Sequence, residues 1–133
     1  MPDQGLNIIA TRLREARERK GFSQKALGIA AGIDEFSASP RINQYERGKH
    51  VPDLLTLEKL ASVLAVPVAY FLADDADLAE LLTLLNDLPR TEWRDVNQYV
   101  RKRLSIGVIA GWSAMRYRSA GGFRRSAAST GAV

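Results

Sequence analysis

Glycines and a proline divide residues 9–72 into short segments, and the spacing of these helix-ending residues most strongly limits the folds that the chain can adopt. Gly21, Gly32 and Gly48 each follow a stretch whose apolar residues recur three or four positions apart, the spacing of one face of an α-helix. Pro67 closes a fourth stretch, because proline interrupts the hydrogen bonds of a helix. Five short helices joined by tight turns, with one shared apolar face, predict a small all-α domain.

The second helix has a recognisable start and an unusual residue inside it. Ser23 offers a side-chain oxygen that can cap the first turn. Gly28 is unfavourable within a helix by ~1 kcal/mol relative to alanine. We therefore expect another helix to cross close to Gly28, where a side chain would not fit.

The third helix is expected to begin late, after a loop. Residues 34–39 are polar and small except for Phe36, and they predict a loop. Ser39 followed by Pro40 is typical of the first positions of a helix. We expect the third helix to run over about residues 39–46.

The chain beyond the first domain predicts two more helices. One carries a stripe of leucines, and the next carries a stripe of tryptophan, valine and leucine. We expect a domain at residues 1–75 and a helical hairpin at 76–106, which is too small for a core of its own and either packs back or dimerises. Residues 107–133 predict a flexible basic tail.

Composition excludes several kinds of site. The 133 residues allow one compact domain plus an appendage. There is no cysteine and one histidine, His50, so disulfides, thiolate metal sites and histidine metal clusters are excluded. We see no nucleophile–base pair and no phosphate-binding glycine loop, and so expect no enzyme activity, cofactor or metal. The first ten residues do not resemble a secretory signal and no apolar run is long enough to span a bilayer, so we expect a cytoplasmic location without membrane contact.

The charge of the chain is mildly basic and unevenly placed. The formal net charge is +4, from 19 Lys and Arg against 15 Asp and Glu. Residues 113–133 hold four arginines and no acidic residue, whereas residues 1–73 are only slightly basic. Binding to a polyanion must therefore depend on a local basic face of the domain, to which the tail can add non-specific attraction.

A series of short motifs follows a fixed order between residues 9 and 72. The motifs are Arg12-Leu13-Arg14, Arg17, Gly21-Phe22-Ser23-Gln24, Leu27, Gly32-Ile33, Ile42, Tyr45-Glu46-Arg47-Gly48, Pro52, Leu57, Leu60-Ala61, Leu64 and Val66. Each alone is weak, but their order and spacing together resemble the Cro/C1-type (Xre family) helix-turn-helix regulators, over more than half of the chain. The resemblance implies a five-helix lambda-repressor-like domain whose second and third helices enter the major groove of DNA.

The resemblance also implies a set of DNA-contacting residues. They are Gln24, Ser37, Ser39, Arg41, Asn43, Gln44, Arg47, Lys49 and His50. Gln24 matches a position that contacts the DNA backbone and can brace the recognition helix. The amides of Asn43 and Gln44 suit bidentate contacts to adenine, and Arg41 suits guanine or a phosphate. The last three residues of the set lie in a loop where the family contacts phosphates, which gives affinity and register rather than sequence choice.

Two further positions match an ion pair that the family buries. Arg17 and Glu46 would tie the first helix to the end of the recognition helix and set its orientation. The chain departs from the family pattern by a few extra residues at 34–37, which we interpret as a lengthened turn. Because Pro40 stands where a base-contacting polar side chain is common, Ser37 and Ser39 are expected to supply contacts instead.

The predicted function is sequence-specific binding of double-stranded DNA as a transcriptional regulator, with repression of a prokaryotic or phage operator as the expected outcome. We expect a homodimer formed through residues 76–106, since two recognition helices about 34 Å apart read two half-sites. The alternative is an antitoxin or accessory protein that binds a partner protein through its C-terminal part and autoregulates through the N-terminal domain.

Overall fold

The computed structural model describes residues 4–106, with side chains from residue 8 onward, and all of its regular elements are helices. They are α1 (Gln4–Lys20), α2 (Gln24–Ala30), α3 (Glu35–Glu46), α4 (Leu54–Leu64), a 3₁₀ helix (Val68–Leu72), α5 (Ala76–Asp87), a second 3₁₀ helix (Arg90–Glu92) and α6 (Trp93–Ser105). The predicted all-α class is confirmed for this part of the chain. The predicted tail at 107–133 lies outside the described residues.

Two compact units divide the chain, the first ending at Pro89 and the second beginning at Arg90. The core of the first unit is one cluster of apolar side chains from α1 to α5 and the 3₁₀ helix between α4 and α5. Its fully buried large members are Leu13, Leu27, Ile42, Leu60, Leu64, Tyr70 and Phe71. Ala79 of α5 belongs to the cluster and Leu82 packs against it, so α5 is part of the first unit.

Four helices of the first unit end at a residue with a left-handed backbone. Gly21, Gly32 and Gly48 have φ of 77°, 87° and 70°, and Ala65 has φ of 54°. After each, an amide bonds back to a carbonyl five positions earlier, as Phe22 does to Arg17 at 3.1 Å. This satisfies carbonyls that the end of a helix would leave unpaired. The predicted helix ends at the three glycines are therefore observed.

The close crossing predicted at Gly28 is also observed. A Cβ atom at this position would lie 2.7 Å from the Cβ of Ala38 and 2.9 Å from its Cα, so α2 and α3 approach backbone to backbone. No side chain at residue 28 fits at that distance. The unfavourable glycine within α2 is thus explained by the packing of α3.

The predicted start of α3 is wrong. The helix begins at Glu35, four residues before Ser39, because the carboxylate of Asp34 caps it by accepting from the amide of Phe36 at 3.0 Å. Residues 34–39 are therefore not a loop, and the segment 34–37 lengthens the recognition helix rather than the turn before it. Pro40 lies inside the helix, where its missing N–H leaves the carbonyl of Phe36 without a helical donor. Phe36 is exposed, so water can bond that carbonyl.

Arg12 is a buried charged residue of α1. Its Nε donates to the carbonyl of Ala73 at 2.7 Å, and its Nη1 pairs with Glu15 at 2.7 Å. The side chain thus ties α1 to the chain that follows the first 3₁₀ helix.

The described part of the second unit is a polar stretch without buried residues. The guanidinium of Arg90 stacks over the ring of Trp93, 4.5 Å from its centroid. In α6, Tyr99, Val100 and Leu104 are exposed apolar side chains. Among residues 4–106, no helix has the length and apolar character needed to cross a membrane.

Candidate nucleic-acid interface

The helix-turn-helix consists of α2, the turn at Gly32 and α3. Ser23 caps α2 by accepting from the amide of Ala26 at 3.0 Å. The turn is closed by the amide of Ile33, which bonds the carbonyl of Gly28 at 2.9 Å. The predicted N-cap and the predicted position of the turn are therefore both present.

One face of α3 is buried and the opposite face is open. Ala38, Ile42 and Tyr45, spaced four and three residues apart, point into the core. The opposite face carries side chains at the same helical spacing, and its members are Phe36, Pro40, Asn43 and Arg47, with Gln44 beside them. Four of these five residues are exposed and Asn43 is half-buried. The core contacts thus leave a full-length helix face free for a partner.

Arg17 and Glu46 meet in the interior, as the resemblance implied. Arg17 Nη2 lies 2.9 Å from Glu46 Oε1, and Arg17 Nε lies 3.0 and 3.1 Å from the two carboxylate oxygens. The side chains are 14% and 4% exposed, so the pair is almost fully desolvated. Arg17 also donates to the carbonyl of Phe22 at 2.9 Å, which leaves the guanidinium well satisfied. This cluster fixes the C-terminal end of α3 against α1.

Gln24 extends this cluster to the outward face of α3. Its amide nitrogen donates to Glu46 Oε2 at 3.0 Å and to Asn43 Oδ1 at 3.3 Å. Both amide hydrogens of Gln24 are therefore used to brace α3, and a phosphate contact by this amide would require one of the bonds to break. The side-chain oxygen of Asn43 is thereby held by Gln24.

The remaining residues of the predicted set fall into three places. Gln44 is exposed on α3, and Ser37 and Ser39 are half-buried in the first half of that helix rather than in a loop. Arg47 is the C-cap residue of α3, and the exposed Lys49 and His50 follow it. The helix C-terminus thus gathers three groups that carry or can carry positive charge.

Arg41 is turned toward α4. It lines an open polar cleft of about 220 Å³ together with Ser37, Thr56 and Lys59, which lies between the turn after α2 and the side of α4. Two cationic side chains therefore border one cleft beside the recognition helix, which Asp34, the residue that caps α3, also lines. Lys59 had not been identified from the sequence, because its proximity to Arg41 depends on the packing of α4.

The acidic residues at the start of α3 are occupied within the protein. Asp34 caps the helix, and Glu35 forms an exposed ion pair with Lys25 at 3.4 Å. Phe36, which follows these two residues in α3, is 88% exposed and is not among the predicted site residues. The position of Phe36 on the open face of α3 follows from the start of this helix at Glu35. In the sequence, Asp34 indicates that start because it can cap a helix.

Comparisons with known proteins agree on one family. A helix-turn-helix family model matches residues 13–71. The chain is 36% identical over 80 residues to an uncharacterized HTH-type transcriptional regulator, YonR, derived from the SPbeta prophage of Bacillus subtilis strain 168, and the match covers 60% of this chain and 70% of the relative. The crystal structure of the transcriptional regulator BswR superposes with a TM-score of 0.67 at 45% identity, covering 72% of this chain and 95% of that one. The predicted family is thereby confirmed: the chain belongs to the Cro/C1-type family of DNA-binding helix-turn-helix transcriptional regulators.

Proposed function

We propose that this chain represses transcription by binding a specific operator in double-stranded DNA, with α3 in the major groove. The observation that carries the proposal is the contrast between the two sides of α3. One side is fixed by the buried cluster of Arg17, Gln24 and Glu46, while the other presents the amides of Asn43 and Gln44 to solvent. A rigid helix with outward amides suits the reading of base edges, because bidentate contacts need fixed geometry.

Phosphate contacts flank the reading face in this proposal. Arg47, Lys49 and His50 lie beyond the C-terminal end of α3, and Arg41 and Lys59 border the cleft beside its N-terminal half. Because Arg41 shares that cleft with a lysine, we assign it to a phosphate rather than to guanine. Such contacts would supply salt-dependent affinity on both sides of the groove.

We propose a homodimer as the functional form. One recognition helix covers few base pairs, so a twofold pair is needed for useful specificity. In α5, Ala79 and Leu82 face the core of the first unit, whereas Leu78, Leu81 and Leu84 stay exposed, and α6 separately exposes Tyr99, Val100 and Leu104. We assign the second copy to these apolar side chains of residues 76–106, those of α5 in the first unit and, separately, those of α6 in the second.

Light scattering tests the dimer. The full chain at micromolar concentration should have the mass of two copies, and Leu81→Glu should shift it toward one. Leu72→Glu is the matched control, since Leu72 is an exposed leucine outside α5 and α6. A wild-type monomer, with and without DNA, would contradict the assignment.

The DNA assignment is tested by titration with the region upstream of its own gene at two salt concentrations. Gln44→Ala should lose ~1–3 kcal/mol of specific affinity. Lys49→Ala should weaken binding to all sequences alike and reduce the salt slope by about one. If Gln44→Ala binds that DNA as wild type does, Gln44 does not read the bases of the operator.

The comparisons favour transcriptional regulation over the alternative of an antitoxin or accessory subunit. A small partner protein that co-purifies in fixed stoichiometry with the C-terminal part would reverse that preference. We place the regulator in the cytoplasm of a prokaryotic cell, because its proposed ligand, operator DNA, lies there.

A further inference from the structure

The N-terminal half of the outward face of α3 is apolar. Phe36 lies in the first turn and is 88% exposed, more than any other large apolar side chain of the described residues. Pro40 follows one turn later on the same face and is also exposed. The amides of Asn43 and Gln44 occupy only the C-terminal half.

Exposure of a phenylalanine does not by itself indicate a site, since single exposed apolar side chains are common. The position of Phe36 is what distinguishes it. The N-terminal turns of a recognition helix are the part that reaches base edges. Neither Phe36 nor Pro40 offers a side-chain hydrogen-bond donor or acceptor. The flanking carboxylates cap the helix at Asp34 and pair with Lys25 at Glu35, and as ionised groups they offer no hydrogen-bond donor.

The edges of base pairs present one prominent apolar group in the major groove, the C5-methyl of thymine. We propose that Phe36, with Pro40 behind it, reads thymine methyl groups in the operator, so that the helix selects sequence by apolar contact at its N-terminal end and by amide hydrogen bonds further along. This inference rests on the proposed function. It replaces the polar contacts expected at the helix tip with a contact of different chemistry.

The test uses a duplex selected from random sequences by the wild-type full chain. Each thymine of that duplex is replaced in turn by deoxyuridine, which removes the methyl group and leaves the pairing unchanged. Wild type should lose affinity about four-fold at one or two thymines in each half-site, the expected effect of one buried methyl group. Phe36→Ala should bind the unmodified duplex roughly ten-fold more weakly and should no longer distinguish thymine from deoxyuridine at those positions.

Leu72→Ala is the matched control, since Leu72 is 62% exposed on the 3₁₀ helix, and it should keep the wild-type pattern of deoxyuridine sensitivity. If Phe36→Ala keeps that pattern, whether its overall affinity is unchanged or uniformly lower, thymine reading by Phe36 is refuted while DNA binding by the chain stands. If wild type selects no sequence at all, the proposed function and this inference both fail.

Discussion

Gly28 and Ala38 mark a close crossing of the two helices of the helix-turn-helix, since a Cβ at residue 28 would lie 2.7 Å from the Cβ of Ala38. Alanine is the better helix former by up to ~1 kcal/mol, so propensity alone would favour Gly28→Ala. Overpacking costs about 1–3 kcal/mol and should outweigh this gain. We therefore expect a net loss of about 2 kcal/mol or less in urea unfolding.

A second variant shows whether the crossing is the cause. Adding Ala38→Gly to Gly28→Ala removes the Cβ–Cβ contact but not the 2.9 Å contact with the Cα of residue 38. The double variant should therefore lose less free energy of unfolding than the two single variants lose when their losses are added. A Gly28→Ala protein more stable than wild type would show that the helices separate at little cost.

The ion pair of Arg17 and Glu46 should be sensitive to the loss of its cation. In Arg17→Met, the carboxylate of Glu46, 4% exposed, keeps only the amide of Gln24, and the variant should lose about 3 kcal/mol of unfolding free energy. Glu46→Gln should cost less, because Arg17 still bonds the carbonyl of Phe22 and is 14% exposed.

Arg14→Met is the control for this pair. Arg14 and Glu18 form an ion pair at 3.0 Å whose side chains are 66% and 56% exposed. Exposed pairs contribute little, so unfolding should be unchanged within error. Equal losses in Arg14→Met and Arg17→Met would mean that burial does not set the strength of these pairs.

The helix ends and the crossing at Gly28 were predictable because they follow local rules. A glycine after an apolar helical stretch indicates the end of a helix, because glycine readily adopts the left-handed backbone found there. A glycine within a helix is unfavourable, so it indicates that another element packs closely against it. The start of α3 was not predictable in this way, since Asp34 and Ser39 both suit an N-cap. The packing of Ala38 against Gly28 needs residue 38 to be helical, and this non-local contact favours the earlier start.

Long-range polar contacts are likewise not predictable from local sequence rules. Helical spacing places Arg12 at the edge of the apolar face of α1, three residues after Ile9, but it does not indicate which group the guanidinium bonds there. The burial of Arg12 depends on the carbonyl of Ala73, 61 residues away. The pairing of Arg17 with Glu46 could be anticipated, but through the family resemblance rather than through spacing.

Ala65 is the one residue other than glycine with a positive φ in the described chain, at 54° with ψ of 46°. The left-handed conformation costs a residue with a Cβ roughly 1–2 kcal/mol. Ala65→Gly should therefore raise the free energy of unfolding, by about 0.5–1 kcal/mol after the greater flexibility of unfolded glycine is subtracted. Ala30→Gly, the same change at the exposed last residue of α2, should lower it, by less than the ~1 kcal/mol of a helix interior. If both variants changed the free energy of unfolding in the same direction, in thermal or urea unfolding, the assignment of Ala65 as a left-handed cap would be contradicted.

Asp53 should make the stability of α4 depend on pH. Its side chain accepts from the amide of Thr56 at 2.7 Å, and hydrogen bonds with Thr56, followed by the charge of Lys59, hold the pKa of Asp53 below its usual 3.8. Because the folded pKa is the lower one, the stabilisation is fully present above about pH 5 and is lost as pH falls through the folded pKa. Asp53→Asn keeps a capping oxygen that does not titrate, and the other carboxylates act equally in both proteins. The stability of wild type minus that of Asp53→Asn, from urea unfolding between pH 7 and pH 3, should be constant above pH 5 and should decrease below pH 4. A difference that is flat down to pH 3, together with a carboxyl pKa at or above 3.8 by carbon NMR, would show that Asp53 does not cap the helix as an anion.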